Sequence, residues 1–284
     1  MTDIFDFETR PGIYAVMGNP ISHSKSPRIH TLFAEQTRQK LNYTAIHVDD
    51  WGFSQAVDNF FASGGGGLNI TVPFKQDAWK LAAQLSPRAQ RAGAVNTLYK
   101  QDGKITGDNT DGVGLVHDLI NNKGIAIKGS RILLMGAGGA ARGVLALLLE
   151  QQPEIVVIAN RTAEKAITLA AIFADLGNVS GSGYENLKGQ QFDLIINATA
   201  ASLKGEVPPL PDNIIADNGN CYDMMYGNQP TTFMNWCNAH GAAQVFDGLG
   251  MLVEQAAESF YIWRQVRPET GPVIKALRDE IKNA

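Results

Sequence analysis

The sequence predicts an α/β protein in two domains, the second a doubly wound parallel sheet, with C-terminal helices that return to the first domain. Three observations carry this expectation. Short β-type apolar runs alternate with helix-like stretches along most of the chain, which is the pattern of a mostly parallel sheet. The second half opens with an apolar strand, a glycine-rich turn and an apolar helix. Two polar, turn-prone segments, GDNTDG at Gly107–Gly112 and DGLG at Asp247–Gly250, bracket that half. The expected division is residues 1–111 plus 249–284 for one domain, with 112–248 inserted as the other.

In the first half, strands are expected at IYAVM (Ile13–Met17), YTAIHV (Tyr43–Val48), LNITV (Leu68–Val72) and AVNTLY (Ala94–Tyr99). Pro27 after Ser26 and Pro73 after Val72 each mark a first helical position, where a missing N–H costs nothing. The glycine run Gly64–Gly67 reads as a turn. In the second half, the strand RILLM (Arg131–Met135) leads through the glycine turn into a helix reaching Glu150. The apolar run VLALLL (Val144–Leu149) within it suits a buried helix and is far too short to span a bilayer. Strands follow at IVVIAN (Ile155–Asn160), FDLIIN (Phe192–Asn197), NCYDMM (Asn220–Met225) and AAQVFD (Ala242–Asp247). An uninterrupted helical stretch from Met251 to about Trp263 and another helix after Pro272 close the chain.

Of 284 residues, 44% are hydrophobic and 18% charged, the balance of a folded globular chain with ample core. The net charge of −4, with no clustered run of Lys and Arg, excludes a sequence-independent grip on nucleic acid. It also means that an anionic ligand must be held by local donors, because the overall field does not attract it. The N-terminal MTDIFDFETR carries acidic residues and no continuous apolar stretch, so no secretory signal is read there and a cytoplasmic location is expected. Cys221 and Cys237 lack a Cys/His partner set, so neither a metal site nor a disulfide scaffold is indicated and two reduced, partly buried thiols are expected.

The stretch GAGGAA, Gly136 to Ala141, fits G-x-G-x-x-[G/A]. Gly136 would make the tight turn, Gly138 would let backbone approach a pyrophosphate, and Ala141 would allow close helix–strand packing. Its place between an apolar strand and an apolar helix points to a dinucleotide, with the pyrophosphate on the amides of the helix N-terminus. About twenty residues on, an NAD enzyme places Asp or Glu against the ribose diol. This chain has Asn160 there, then Arg161, Thr162 and, one turn past Arg161, Lys165. Two cations and two neutral polar groups suit a 2′-phosphate that a carboxylate would repel, so NADP is the expected cofactor. A capped helix start with solvated Arg161 and Lys165 is the alternative.

A cofactor that carries hydride leaves the protein to position the substrate and manage one proton. Among the histidines, His23 lies in a polar loop that can approach a site, whereas His30, His47, His117 and His240 read as packing or surface groups. Lys75 lies just inside the helix expected from Pro73, at a strand carboxyl end where α/β ligands bind. An ammonium there meets the positive end of the helix dipole and needs an anion beside it. A surface lysine, and for Asp111 a turn aspartate, are the plainer alternatives. HSKSP (His23–Pro27), NTL (Asn96–Leu98) and YDMMY (Tyr222–Tyr226) are polar where a core would want apolar residues.

Taken together, these segments resemble the shikimate dehydrogenase family along nearly the whole chain. GNPISHSKSPRIH (Gly18–His30), NITVPFK (Asn69–Lys75), AGAVNTL (Ala92–Leu98) and GDNTDGVG (Gly107–Gly114) are similar to its substrate-domain motifs, in order. GAGGAAR (Gly136–Arg142), NRT (Asn160–Thr162), YDMMY and DGLGMLVEQAA (Asp247–Ala257) are similar to its cofactor and closing motifs. The resemblance implies NADPH-dependent reduction of 3-dehydroshikimate to shikimate, with Lys75 and Asp111 as the catalytic pair. It implies that Ser24, Ser26 and Tyr226 hold the substrate carboxylate and that Asn69, Thr71, Asn96 and Gln255 bind ring hydroxyls. For the cofactor it implies Gly136, Ala137, Gly138, Gly139 and Ala140 at the turn, Asn160, Arg161, Thr162 and Lys165 at the second strand, and Thr199, Gly248 and Met251. Many relatives carry arginine where this chain has Lys165, which pairs with phosphate without the bidentate fork. Two rivals stay open: a quinate/shikimate dehydrogenase with broader substrate or NAD use, and a catalytically silent NADP-binding sensor, which would need neither Lys75 nor Asp111. Monomer and homodimer are equally compatible with the sequence.

Overall fold

The computed structural model describes residues 11–199, 201 and 205–283. MTDIFDFETR, the segment in which no secretory signal is read, lies outside the described residues.

Elements of the first half are β1 (Gly12–Gly18), α1 (Ser26–Thr37), β2 (Leu41–His47), α2 (Phe53–Ala62), β3 (Gly65–Ile70), α3 (Lys75–Leu81), β4 (Gln84–Leu85), α4 (Pro87–Ala92), β5 (Thr97–Gln101) and β6 (Lys104–Asp108). They form a six-stranded sheet in the order β2-β1-β3-β5-β6-β4. β1 lies parallel to both β2 and β3, while β5 runs antiparallel to β3 and β6. The apolar pattern does not announce the hairpin of β5 and β6, nor the short β4. Asp102 and Gly103, both at positive φ, turn the hairpin.

Two expectations of this half are corrected. Gly65–Gly67 is not turn but strand β3, and only Gly64 stays outside it. A Cβ at Gly66 would stand 3.0 Å from the Tyr14 ring, and one at Gly67 would collide with Trp263, so aromatic faces fill the space that side chains would need. Pro73 is not the first residue of a helix: Val72–Phe74 form a turn and α3 starts at Lys75.

The second half contains α5 (Asp111–His117), β7 (Arg131–Met135), α6 (Gly139–Glu150), β8 (Ile155–Ala159), α7 (Ala163–Phe173), β9 (Val179–Ser182), β10 (Phe192–Asn197), β11 (Ile215–Asp223), α8 (Thr232–Ala239) and β12 (Gln244–Asp247). Its sheet is parallel throughout, in the order β12-β11-β10-β7-β8-β9. Strand order reverses between β7 and β10, and ligands bind at the carboxyl ends of strands at such a point. The mixed α/β fold with a doubly wound sheet is thus the class expected. β9, a strand of only four residues without strong alternation, escapes the apolar pattern. Cys221 and Cys237 are free and wholly buried rather than partly, because β11 and α8 carry them into one core cluster.

α5 leads out of the first sheet and continues into a π-helical turn, Asp118–Asn122. The last helices, α9 (Leu249–Arg264) and α10 (Gly271–Lys282), return to pack on α1, joining Ile29 and Phe33 to Val253, Phe260 and Leu277. Met251 of α9 and Leu115 of α5 also belong to the core of the second sheet, so both helices serve both halves. No helix among the described residues is long and apolar enough to cross a membrane.

Candidate active site

A cavity of about 460 Å³ opens at the carboxyl ends of β1 and β3, where the two halves meet. It gathers Lys75, Asp111, Ser24, Ser26, Asn69, Thr71, Asn96, Tyr226 and Gln255, together with Gly248 and Met251. His23 also lines it, whereas His30 is fully buried among aromatic rings.

Lys75 is the first residue of α3, and its ammonium meets Asp111, the first residue of α5, at 2.6 Å. The side chains are 25% and 8% exposed, so the pair is largely withdrawn from water while the ammonium keeps an open side. Asp111 supplies the anion that a lysine at a helix N-terminus needs. Its other oxygen accepts from Asn96 Nδ2 at 2.9 Å, which leaves Oδ2 to the ammonium. Asn96 is fixed in turn, because its Oδ1 accepts from the Thr110 amide at 2.9 Å and from Thr97 Oγ1 at 2.9 Å.

Asn69 is held by groups that the sequence motifs do not single out. Tyr43 donates to its Oδ1 at 2.7 Å, and its Nδ2 donates to the Asn96 carbonyl at 3.2 Å and to Ser259 Oγ at 3.0 Å. Ser259 lies one turn past Gln255 on α9, a spacing that places both on one face and is visible in sequence. Tyr43 comes from β2, and only the fold brings it near. At the carboxylate-binding end expected from sequence, the Ser26 amide donates to Ser24 Oγ at 3.3 Å. Burial, and then the charge of Asp247, push the Tyr226 phenol up, so it stays a protonated donor.

A second cavity, of about 480 Å³, lies past β7 and β8 and is lined by Ala137, Gly138, Asn160, Arg161, Thr162, Lys165 and Thr199. Gly136, Gly139 and Ala140 do not line it. Gly136 sits behind the turn at φ +103, a backbone that favours glycine, with the Ala198 carbonyl 3.2 Å from where a Cβ would stand. Gly139 and Ala140 are exposed in the first turn of α6. No atom comes within 4 Å of a Cβ built at Gly138, so an anion has an open approach to the N-terminus of α6. Asn160 Nδ2 donates to the Thr162 carbonyl at 2.9 Å, which fixes the loop, and Thr199 Oγ1 donates to Asn197 Oδ1 at 2.7 Å. Neither Arg161 nor Lys165 has an acidic partner among the described residues. Two unpaired cations, a polar loop and an open helix N-terminus fit a dinucleotide bearing an additional phosphate. Tyr184, Glu206 and the segment Val207–Pro209 also line this cavity, and no sequence motif points to them.

Residues 16–98 match the shikimate dehydrogenase substrate binding domain, 118–204 match shikimate / quinate 5-dehydrogenase, and 248–278 match the shikimate 5′-dehydrogenase C-terminal domain. A shikimate dehydrogenase (NADP(+)) of Alkalilimnicola ehrlichii is 61% identical over 267 residues, spanning 94% of this chain and 98% of that protein. In crystal structures, an Ael1 enzyme from Pseudomonas putida superposes with a TM-score of 0.89 at 46% identity, covering 94% of this chain and 98% of its own. Shikimate 5-dehydrogenase of Thermus thermophilus, in complex with NADP(H) and shikimate, gives 0.84 at 31% identity, with coverage of 94% and 99%.

Proposed function

Because the chain belongs to the shikimate dehydrogenase family, we propose that it catalyses the reversible NADPH-dependent reduction of 3-dehydroshikimate to shikimate, a step toward aromatic amino acids. The observation that carries the assignment is the Lys75–Asp111 pair at 2.6 Å, set in a cavity lined by hydroxyl and amide groups. Residues 1–111 with 249–284 act as the substrate-binding domain and residues 112–248 as the NADP-binding domain. The reaction belongs in the cytoplasm, a compartment that suits two buried free thiols.

Ser24, Ser26 and Tyr226 hold the carboxylate by hydroxyl donors, so no arginine is required for the anion. Asn69, Thr71, Asn96 and Gln255 bind ring hydroxyls, which give and accept hydrogen bonds as these side chains do. Bound NADPH supplies the hydride. Lys75 Nζ stabilises the developing oxyanion and passes it a proton, so that the carbonyl becomes an alcohol. Asp111 Oδ2 keeps the ammonium aimed, and the amine regains its proton from solvent through the open side of the pair. Gly138 and the amides of α6 receive the pyrophosphate, Arg161 and Lys165 the 2′-phosphate, and Gly248 and Met251 border the nicotinamide.

The test is NADPH absorbance with purified protein and 3-dehydroshikimate, run alongside shikimate or quinate with NADP+ and NAD+. Turnover of shikimate with NADP+ well above that of quinate, and above that with NAD+, is expected. Turnover of quinate matching that of shikimate would replace the substrate assignment, and no turnover of any substrate would favour the silent sensor.

A further inference from the structure

Tyr184 opens a short 3-10 turn, Tyr184–Leu187, directly after β9 and Gly183. β9 is the outer neighbour of β8, and the Asn160 amide donates to the Ser182 carbonyl at 3.1 Å. Tyr184 therefore stands two residues beyond the point where β9 touches the Asn160–Thr162 loop. Its side chain belongs to a core cluster with Val157, Ala159 and Leu187 and is only 8% exposed, yet it lines the same cavity as Arg161 and Lys165. Its hydroxyl has no hydrogen-bond partner among the described residues and is not one of the sealed, unpartnered polar atoms of the core, so it is open to the cavity.

Burial pushes the phenol up to about 12 against the opposing charge of Arg161, so at neutral pH it is a protonated, uncharged donor. The nearby guanidinium has no lone pair to accept that proton. A phosphate oxygen does, and one held by Arg161 would come within the phenol's neighbourhood. Resting on the NADP assignment, we infer that the Tyr184 hydroxyl donates to the 2′-phosphate and is a specificity-determining residue for that group. It complements Lys165, whose point charge attracts the phosphate without fixing its orientation.

Calorimetric titration of 2′,5′-ADP and of 5′-AMP into the full chain reads this contact without turnover. Wild-type protein is expected to bind 2′,5′-ADP much more tightly than 5′-AMP. Tyr184→Phe, which keeps the ring and its packing, is expected to weaken 2′,5′-ADP about tenfold and 5′-AMP less than about twofold, as a charge-assisted hydrogen bond requires. Equal losses on the two probes would place the hydroxyl against the adenine or ribose and overturn the inference, as would no loss on either. If wild-type protein bound both probes alike, the NADP assignment itself would fall, and this inference with it. An unchanged thermal transition for Tyr184→Phe ties any loss to the hydroxyl, and Tyr184→Trp, which keeps a buried aromatic ring with one donor, should retain more of the preference than Tyr184→Leu.

Discussion

The two carboxylate oxygens of Asp111 face different partners, Oδ2 the Lys75 ammonium and Oδ1 the Asn96 amide. On the proposed mechanism Lys75 acts as charge develops on the substrate oxygen, so Lys75→Ala should lower kcat by about 10²–10⁴ with a much smaller change in KM. Asp111→Asn keeps the shape but loses the charge that aims the ammonium, and should also be severe. If Ser24 holds the carboxylate as proposed, Ser24→Ala should raise KM chiefly, since a carboxylate remote from the reacting carbon is held alike in ground and transition states. Steady-state kinetics on variants shown by circular dichroism to be folded decide the matter, and near-normal kcat for Lys75→Ala would remove it from the proton's path. Taken singly in the sequence, Lys75 and Asp111 read as surface and turn residues, and only the ordered set of motifs lifts them above that. Tyr43 carries no such signal, because its contact with Asn69 joins β2 to β3 across 26 residues and depends on sheet register.

At the scale of elements, apolar periodicity locates nearly every strand of the parallel sheet and the long helices, since each buries a continuous stripe. It fails where packing overrides local preference. The glycines of β3 signal a turn by composition, but they are strand because Tyr14 and Trp263 cover them. A related closeness joins α5 to α9. A Cβ at Gly114 would lie 2.7 Å from the Met251 carbonyl and 2.8 Å from the Gln255 amide, both backbone atoms that cannot swing aside. The same two helices carry Asp111 and Gln255 into the cavity proposed as the active site. Gly114→Ala should therefore cost about 1–3 kcal/mol through overpacking and also lower kcat/KM, because separating the helices displaces both side chains. Urea denaturation and kinetics measure the two effects. A variant that loses stability but keeps full kcat/KM would show that the crossing does not govern site geometry.

On the scale of the whole molecule, the C-terminal helices pack back on α1, and their seam with α1 and β2 is aromatic. His30 sits in this seam, stacked on Tyr43 with ring centroids 4.2 Å apart and bordered by Phe33, Phe260 and Trp263. Burial lowers its pKa from 6.5 to about 3, with the nearby Asn69 side chain opposing the shift. Above pH 6.5 the imidazole is neutral in both folded and unfolded chains and stability is unaffected. As the pH falls below that value, the unfolded chain takes up a proton that the folded seam refuses, so stability is lost until the pH reaches about 3. The expected slope is about 1.4 kcal/mol per pH unit, or about 2–3 kcal/mol between pH 6.5 and 4.5. Burial alone would raise the Glu254 carboxyl, but the His117 imidazole 3.8 Å away and hydrogen bonds from Thr270 and Asn122 hold it below its usual range. Its contribution is present above the ordinary glutamate pKa and vanishes as the pH falls through the lower folded value, so it adds to acid lability further down. His30→Phe keeps an aromatic ring against Tyr43 and removes the proton. Urea denaturation of both proteins from about pH 7 to 4.5 should give a shallower decline for the variant by about one proton's worth of slope, whereas parallel declines would mean that the acid sensitivity resides outside the seam.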